Sequence, residues 1–406
     1  MANVSSSNGL EKRPRLAFRN TDGSHFPCWR QTSLGCIIEP YSEKVYGEHD
    51  YEVLTSAREG LQRQEDHFGS KQRHDTDGYN IIPFGYCTYR NRSDDGKFAF
   101  NINTISEKAI VSKFYPVFRF TNANSTFMAE FLNSSPRVKK KLSVLAVGTS
   151  QVVLSFEALK AAKFDLPCKD EQDKIAAFLE CLNTRIENQR TLVVALKKYK
   201  RGVVRTLLSP KRCSIKNVKW TTSRIGDIGT FIKGAPLSKA DISLEGTPFI
   251  LYGELYTTYS EVISNVVRKT QASADKQYYS QIGDVIIPTS GETPEEISTA
   301  SCVMLPDIIL AGDLNIYRCT QVDGRIMSYI LNHVVNDRIA RIAQGKSVVH
   351  VQAAEISKIE ITYPDPFSQK TIIAILAAIS DRIDQSNAEL GLLHELRKAL
   401  LQKLFI

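Results

Sequence analysis

The chain has 406 residues, of which 42% are hydrophobic and 24% are charged, proportions typical of a globular protein large enough for two or three domains. Its apolar run TIIAILAAI is too short to cross a bilayer, and the polar start MANVSSSNGLEKRPR lacks a signal-peptide core, so we expect a cytoplasmic protein with no membrane partner. The eight cysteines form no Cys-x-x-Cys pair, which excludes the common zinc and redox motifs, and the net charge of +8 favours a polyanionic partner.

The first part of the chain predicts a module of mixed helix and strand. CWRQTSLGCII opens it, NIIPFGYCTYR is typical of a strand, and TFMAEFLN is typical of a helix. The same order returns later, in KWTTSRIGDIG, SQIGDVIIPTS and RIMSYILN, with Trp29 matching Trp220 and Gly85 matching Gly283. Between these landmarks the two copies differ greatly. We therefore expect a duplicated scaffold that carries two diverged surfaces.

The repeat keeps one register from Gly148 to the C-terminus. Gly148-Thr149-Ser150 precedes QVVLSFEALKAAKFDLP, and 197 residues later Gly345-Lys346-Ser347 precedes VVHVQAAEISKIEITYP. EQDKIAAFLECLNTRIENQ then aligns with SQKTIIAILAAISDRIDQS without a gap. We interpret the shared Gly-x-Ser as a turn between a helix and a strand.

The second of these turns also fits the relaxed form of a phosphate-binding loop. In ARIAQGKS, a small residue and four others precede Gly345-Lys346-Ser347. A phosphate-binding loop follows a strand and opens a helix, whereas here the helical pattern RIMSYILNHVVNDRIARIA comes first and the strand-like SVVHVQ follows. A P-loop-like NTPase is thus an alternative that the order of elements disfavours.

Two long amphipathic helices are predicted, over residues 170–207 and 367–404. In both, apolar residues recur at alternating steps of four and three, which is the a/d spacing of a coiled coil. The predicted pairing positions are Ile175, Leu179, Leu182, Ile186, Val193, Leu196, Ile372, Leu376, Ile379, Ile383, Leu390 and Leu393.

Both apolar stripes are interrupted at the same two places. Gln189 corresponds to Ser386, and Lys200 corresponds to Arg397. A polar residue within such a stripe can fix the register in which helices pair. Asp365-Pro366 supplies a cap and a first-turn proline to the second helix.

Two different modules held apart by long helices suit a protein that reads two sites on one extended partner, and DNA is such a partner. The sequence resembles the specificity subunits of type I restriction-modification systems over nearly its whole length. The resemblance rests on GTSQVVLSFEALKAAKFDLPCKDEQDKIAAFL and its second copy from Gly345 to Leu376, on DYEVLTSAREGLQRQEDHF with GYNIIPFGYCTYRNRSDDGKFAFN, and on IGDVIIPTSGET with AGDLNIYRC. The second copy departs at Ser368, where the family often has glutamate. A coiled-coil scaffold without a DNA role is the other alternative.

The resemblance implies an α/β (α+β) fold with a pseudo-twofold internal repeat, in which two globular target recognition domains are separated by two conserved helices that form an antiparallel coiled coil. We place the first recognition domain at residues 1–165, the central helix at 166–209, the second recognition domain at 210–362 and the C-terminal helix at 363–406. Each domain would read one half of a bipartite, asymmetric site in double-stranded DNA, and the helices would set the spacer.

The resemblance also implies a division of labour with partners. The helices would bind two methyltransferase subunits, and restriction subunits would join that core. The chain itself would bind no cofactor, because S-adenosylmethionine, ATP and Mg²⁺ would belong to the partner subunits. The motif that an amino-methyltransferase needs, Asn/Asp-Pro-Pro-aromatic, has its nearest match at Asp365-Pro366-Phe367, which we interpret as the helix cap. We expect no catalytic residue and no metal ligand in this chain.

The candidate DNA contacts lie in polar, basic loops. Arginine side chains bind guanine edges or phosphates, and amides such as Gln62 and Gln64 bind adenine. Acidic neighbours such as Glu59 and Asp95 leave solvated loop charge as the alternative. The candidates in the first module are Arg58, Arg63, Lys71, Arg73, Tyr89, Arg90, Arg92, Lys97 and Ser150, and those in the second are Lys233, Tyr252, Arg268, Lys269, Lys276 and Ser347.

Overall fold

The computed structural model describes residues 14–69, 75–345 and 349–405. Contacts group the chain into two compact units, the first unit being Met1–Gln189 with Glu389–Ile406 and the second unit being Arg190–Ala388. Each unit therefore contains part of both long helices. The sequence-based domain limits remain a prediction, and they differ from these units because each long helix contributes packing surface to both.

The first unit begins with twelve short strands and their connecting helices, in the described part of the chain. The strands are β1 (Arg30–Ser33), β2 (Ile38–Tyr41), β3 (Glu52–Ala57), β4 (Gly60–Arg63), β5 (Asn80–Pro83), β6 (Cys87–Tyr89), β7 (Arg92–Ser93), β8 (Phe100–Ile102), β9 (Lys108–Val111), β10 (Val117–Phe120), β11 (Val152–Val153) and β12 (Lys163–Leu166). The helices are α1 (Gln64–Phe68), α2 (Ser125–Ser134), α3 (Pro136–Leu145), α4 (Phe156–Ala161) and α5 (Lys169–Leu207). We refer to β1 to β12 with α1 to α4 as the first recognition module.

The second unit repeats this plan. Its strands are β13 (Trp220–Arg224), β14 (Gly229–Lys233), β15 (Thr247–Leu251), β16 (Val262–Ile263), β17 (Arg268–Thr270), β18 (Asp284–Pro288), β19 (Ser290–Gly291), β20 (Ser301–Val303), β21 (Ile309–Ala311), β22 (Leu314–Cys319), β23 (Val349–His350) and β24 (Glu360–Pro364). Its helices are α6 (Pro294–Ile297), α7 (Gly324–His333), α8 (Asn336–Ile342), α9 (Ala353–Ser357) and α10 (Pro366–Leu404). We refer to β13 to β24 with α6 to α9 as the second recognition module.

The two modules share more topology than their sequences predict. The main sheet has the order β2-β10-β6-β8 in the first module and β14-β22-β18-β20-β16 in the second. The smaller sheets, β4-β3-β9-β5 and β17-β15-β21, each contain one parallel pair, β3 with β9 and β15 with β21. In both modules a first strand returns to pair with the last, as β1 with β12 and β13 with β24. The duplicated scaffold is thus confirmed beyond the landmarks, because the sheet order survives where side chains have changed.

The predicted long helices are present over Lys169–Leu207 and Pro366–Leu404. Asp365 caps α10 as predicted, because its carboxylate accepts hydrogen bonds from the backbone N–H of Phe367 at 3.1 Å and of Ser368 at 3.2 Å. The apolar stripes are the sides that pack. Among the predicted pairing positions, Leu196, Ile379 and Leu390 are half-buried, and the other nine are buried.

Helix pairing is visible within each unit. In the first unit, Leu182 and Ile186 of α5 pack with Leu390 and Leu393 of α10, and the partner residue number falls along one helix as it rises along the other, so the helices are antiparallel. In the second unit, one apolar core contains Val204 and Leu207 of α5 together with Ile372 and Leu376 of α10.

Candidate nucleic-acid interface

Two loops of the first recognition module bring predicted basic residues together. Arg58 lies at the tip of the β3–β4 hairpin, and Lys97 lies in the loop between β7 and β8. Both face Asp95, at 2.8 Å from the Arg58 guanidinium and 3.3 Å from the Lys97 ammonium. Desolvation raises the pKa of Asp95, but hydrogen bonds from Ser93 and Lys97 and the charge of Arg58 outweigh it and hold that pKa well below its usual range. Asp95 therefore holds the side chains of Arg58 and Lys97 close together.

A buried amide fixes the hairpin that carries Arg58. The side chain of Asn101 on β8 donates to the Ser56 hydroxyl at 2.9 Å and to the Ala57 carbonyl at 2.8 Å. Asn101 is buried, so these bonds are shielded from competing water. The tip is thus held to the main sheet although its side chains face solvent.

The same tip borders an open groove of about 820 Å³. Arg58, Lys97 and Lys139 line one part of it, and Glu180 and Asn183 of α5 line another. Basic side chains at the mouth of a groove suit contact with a phosphate backbone. Lys139 was missed by the sequence analysis because it belongs to α3, where its charge is indistinguishable from ordinary helix surface.

The remaining described candidates of the first module are spread over its surface. Arg90 is exposed, and Arg92 lies over the ring of Phe114 with 4.9 Å between guanidinium carbon and ring centroid. Arg63 pairs with Glu52 at 3.0 Å on the neighbouring strand β3. These three are separate from the Arg58–Lys97 pair, and whether they contact DNA stays a prediction.

Tyr89 does not belong to this surface. Its side chain is fully buried, and its hydroxyl donates to the Leu154 carbonyl at 3.0 Å. Its ring lies in the core and its hydroxyl is already bonded there, so Tyr89 offers no group to DNA and we remove it from the candidate contacts. Three other candidates, Lys71, Arg73 and Ser347, lie outside the described residues.

The Gly-x-Ser turns occupy equivalent places in the two modules. Gly148 has a φ of +141° and Gly345 has a φ of +139°, a region that favours glycine. The flanking bridges correspond, Val147 with Val153 and Gln344 with His350. Among the described residues, a helix precedes each Gly-x-Ser segment and a short strand follows it, as α3 and β11 or α8 and β23, which confirms the predicted order. A phosphate-binding loop would instead open directly into a helix. Ser150 lies in the first turn.

The first turn is joined to the loop that carries the basic residues. β11 pairs with β7, so Val152 and Val153 lie opposite Ser93 and Arg92. The side chain of Gln151 donates to Asp94 at 3.0 Å. Ser150 and the Arg58–Lys97 pair thus belong to one continuous loop surface.

Candidates in the second module fall into two groups. Lys233 is exposed at the end of β14 and lines an open groove, together with His350 beside the second turn. Arg268 pairs with Glu254 at 2.9 Å, with Lys269 next to it on β17. Two further candidates, Lys276 and Tyr252, are exposed and half-buried respectively, and Tyr252 packs against an apolar core.

Each recognition module is tied to its long helix by a buried glutamine. The Gln172 side chain donates to the Pro167 carbonyl at 2.9 Å and accepts from the Asn124 backbone N–H at 2.9 Å. Gln369 makes the same two bonds, to the Pro364 carbonyl and from the Asp323 N–H, both at 2.8 Å. Gln172 and Gln369, which match in the sequence repeat, therefore form the same structural joint in the two units.

A second matching pair, of half-buried asparagines, was missed by the sequence analysis. Asn133 of α2 bonds both backbone groups of Phe100, and Asn332 of α7 bonds both backbone groups of Ala300. Each amide holds a helix to its main sheet, at β8 in the first module and directly before β20 in the second. The signal was present, since Asn ends both TFMAEFLN and RIMSYILN, but a polar residue at the end of a helix is also common on surfaces.

The joints differ at one position. In the first unit the Trp29 indole donates to the buried carboxylate of Glu171 at 3.2 Å. In the second unit the corresponding residue is Ser368, whose hydroxyl donates to Asp365 at 2.7 Å. Glu171 thus contacts the recognition module in the first unit, whereas Ser368 makes its contact within the helix cap in the second.

No group of three or more His, Cys, Asp or Glu residues that could hold a metal ion occurs in the part of the chain that the structure describes. Over the same residues, none of the helices has the length and apolar character needed to span a membrane.

Comparison with known proteins decides the family. The sequence profile of the type I restriction modification DNA specificity domain matches residues 40–196 and again residues 217–393. The chain belongs to this family. The two matches correspond to the two recognition modules, each with part of a long helix, which is the repeat seen in both sequence and fold.

Solved structures agree with the family fold. One is the crystal structure of a type I restriction-modification system S subunit from M. genitalium, with 16% identity, a TM-score of 0.58, and coverage of 97% of this chain and 99% of that one. Another comes from work on complex assembly and conformational transition of the type I R-M system, with 16% identity, a TM-score of 0.57, and coverage of 93% and 97%. No curated protein sequence matches the chain.

Proposed function

We propose that this specificity-family chain reads a bipartite DNA sequence, with each recognition module binding one half of the site. The observation that carries the proposal is the contrast between the two modules. Their sheet order, glutamine joints and Gly-x-Ser turns are alike, whereas the residues that line their grooves differ, with Arg58 and Lys97 in the first module and Lys233 and His350 in the second. One scaffold with two different polar surfaces suits two different half-sites.

The basic loops support binding in a groove of duplex DNA. Arg58 and Lys97 are exposed, are held by Asp95 and the Asn101 anchor, and line an open groove of about 820 Å³. Arginine at a rigid hairpin tip supplies a directed pair of donors, which fits guanine or phosphate. The net charge of +8 favours the same partner.

The helices are proposed to carry the partner subunits. Their buried stripes are occupied by packing, so a partner would meet the opposite side, where Val194, Tyr199 and Leu392 are 62%, 61% and 71% exposed. Exposed apolar side chains on a helix favour docking of another protein. Two methyltransferase subunits are the proposed occupants, and a similar structure comes from work on assembly of the type I R-M system. Restriction subunits would join that complex.

The chemistry is proposed to lie on those partners. S-adenosylmethionine would be bound by the methyltransferase subunits, and ATP with Mg²⁺ by the restriction subunits. This chain would act by positioning the complex on its sequence. The purified chain should accordingly give neither methylation nor cleavage.

The test is domain exchange followed by methylome sequencing of cells that also carry the methyltransferase partner. The wild-type chain should direct methylation to one motif with two defined halves and a fixed gap. Replacing residues 1–165 with the same region of a family member of different specificity should change one half only. Replacing residues 210–362 should change the other half. Changes in both halves after a single exchange would refute independent reading.

A further inference from the structure

An open groove of about 1050 Å³ lies within the second recognition module. Its floor includes the end of β14 and the start of β22, and one wall is the chain from His350 to Ala354. Gly234 and Gly312 shape the floor, because a Cβ on Gly234 would stand 2.7 Å from the Gly312 carbonyl oxygen. The groove is therefore a built feature of the main sheet and not a gap between loose loops.

Asn315 is a buried polar side chain at this groove. It is 2% exposed and stands on β22 between Lys233 of β14 and Ile287 of β18. Its side-chain nitrogen Nδ2 is fully buried and meets no hydrogen-bond acceptor in residues 14–69, 75–345 and 349–405. Leaving a buried donor without a partner lowers stability, so such groups are rare unless a ligand uses them.

Two other amides of the same chain, of half-buried Asn332 and buried Asn103, are satisfied. Asn332 bonds both backbone groups of Ala300, and the Asn103 amide donates to two carbonyls, of Ile82 and Ser106, at 2.9 Å. The contrast shows that the fold can pair its buried amides. Asn315 faces a groove instead.

The charges around Asn315 indicate the kind of ligand. Lys233 lies directly across the strand pair from Asn315 and carries a positive charge, and His350 and Gln352 add further donors along the wall. The acidic group of the groove, Asp313, accepts a hydrogen bond from the Ser290 hydroxyl at 2.9 Å. A set rich in donors suits a ligand that presents hydrogen-bond acceptors and negative charge.

We propose that Asn315 donates a hydrogen bond to DNA in the half-site that the second module reads. This inference rests on the proposed function and adds a residue to it. The acceptor is either a phosphate oxygen or an acceptor atom on a base edge. Either one would give Nδ2 the hydrogen-bond acceptor that it lacks inside the protein.

The first recognition module has a related feature. The side-chain oxygen Oδ1 of Asn91 is also buried and meets no hydrogen-bond donor in the described residues. The backbone carbonyl of Asn91 accepts from Leu154, as that of Thr289 accepts from Val351 in the second module. Asn91 directly precedes the strand that pairs with the first Gly-x-Ser hairpin, and its counterpart Thr289 follows Ile287, the cross-strand partner of Asn315, by two residues. The two modules offer opposite polarity, an acceptor in one and a donor in the other.

The key variant is Asn315→Leu, which keeps the side-chain size and removes the buried amide. The thermal midpoint of the full-length chain should stay unchanged or rise by roughly 2–4 °C, because an unsatisfied group is lost. The complex with its methyltransferase partner should bind its DNA site about tenfold more weakly. Asn332→Leu is the matched control, and it should lower the midpoint because its amide is fully bonded.

Lys233→Gln tests the same groove without touching the core, with the exposed Lys216→Gln as its charge-matched control. We expect weaker DNA binding only for Lys233→Gln. The two sources of the acceptor are separated by methylome sequencing. In Asn315→Leu, loss of a base contact relaxes one position of the second half-site, whereas loss of a phosphate contact weakens binding and leaves the motif unchanged. Only Lys233→Gln, which removes a positive charge, should lower the salt dependence of binding.

The inference is overturned if Asn315→Leu keeps wild-type affinity and motif, or if its midpoint falls as far as that of Asn332→Leu. These results differ from failure of the proposed function. If the proposed function fails, the wild-type complex itself selects no DNA motif. If the wild-type complex selects a motif and the Asn315→Leu complex binds that motif with the same affinity, only the Asn315 contact is refuted.

Discussion

Lys200 of α5 donates a hydrogen bond to the carboxylate of Glu261 across 2.7 Å, within the second unit. The other oxygen of Glu261 lies 2.6 Å from His333 of α7. At the corresponding place in the first unit, the guanidinium of Arg397 on α10 bonds Glu130 of α2 at 2.6 Å and Asn183 of α5 at 2.7 Å. The interruptions of the apolar stripes at Lys200 and Arg397 are therefore ionic joints between a long helix and a recognition module.

Removal of Lys200 tests the strength of the joint. Lys200→Met should lower the free energy of unfolding by about 3 kcal/mol at pH 7, because it leaves the carboxylate of Glu261 buried without its cationic partner. Urea unfolding of the full-length chain measures the change. Lys197→Met, at an exposed position of the same helix, should stay within about 0.5 kcal/mol of wild type. Equal costs for the two variants would contradict a buried ionic joint.

The same joint predicts a pH dependence. Burial alone would raise the pKa of Glu261, but the hydrogen bond from His333 and the charge of Lys200 outweigh it and lower the pKa to about 2, from an ordinary value of 4.5. The folded state thus holds the proton less tightly than the unfolded state, so the contribution is complete above pH 4.5 and declines as pH falls toward 2.

About 2 kcal/mol of stability should be lost through this group between pH 6 and pH 3. Glu261→Gln should lack that part of the pH dependence, while it is less stable than wild type at pH 6. Unfolding free energies of both proteins across this range give the comparison. A Glu261→Gln curve parallel to wild type would show that Glu261 titrates normally in the fold.

The sequence analysis located these interruptions but assigned them a different partner. It treated Lys200 and Arg397 as register devices within the helix pair. Arg397 does bond Asn183 of the other helix, but both cations also bond carboxylates that lie 61 and 267 residues away. Periodicity specifies which side of a helix is buried and carries no information on which distant group faces a polar position. The helices themselves were predictable, since their heptad pattern is local and uninterrupted by proline.

The recognition modules were less predictable for the same reason. The strand around Tyr89 was recognised, yet Tyr89 itself was assigned to the DNA surface because a tyrosine next to two arginines is ambiguous in a short strand. Its burial depends on Phe100 and Phe118, which pack on it from other strands. RIMSYILNHVVNDRIARIA also divides into α7 and α8 at Val334 and Val335, without the proline that marks the break before α3.

The glutamine joints predict matched losses of stability in the two units. Gln172→Leu and Gln369→Leu should each lower the free energy of unfolding by about 2–4 kcal/mol, because each leaves a buried N–H and a carbonyl without partners. Gln402→Leu, the same substitution at an exposed position of α10, should change it by less than about 0.5 kcal/mol. Limited proteolysis should locate the loosened module in each variant. Cleavage of the same module in both would argue against separate joints.

Alanine substitutions of Gly148, in the first Gly-x-Ser turn, and of Gly202, in α5, should have opposite effects on the free energy of unfolding. In Gly148→Ala the new Cβ would stand 2.2 Å from the Gln151 carbonyl oxygen at a φ of +141°, so we expect a loss of about 1–3 kcal/mol. In Gly202→Ala no described atom lies within 4 Å of the new Cβ, and the helix of α5 should gain up to about 1 kcal/mol. Thermal unfolding of the two variants gives the sign of each change. A stable Gly148→Ala protein would mean that the turn adapts without its glycine.

The last prediction concerns the proposed role of the helices in setting the gap between half-sites. Four residues inserted after Gln189 lengthen α5 by about 6 Å, slightly more than one turn. Because one base pair rises about 3.4 Å, the preferred gap should lengthen by one or two base pairs while the bases read in each half stay the same. Four residues preserve the apolar stripe as a stutter, whereas two residues turn it away from its partners and should destabilise the chain. Methylome sequencing of cells with each variant and the partner subunits measures the gap. A folded four-residue variant that methylates at the original spacing would show that the length of α5 does not determine the gap.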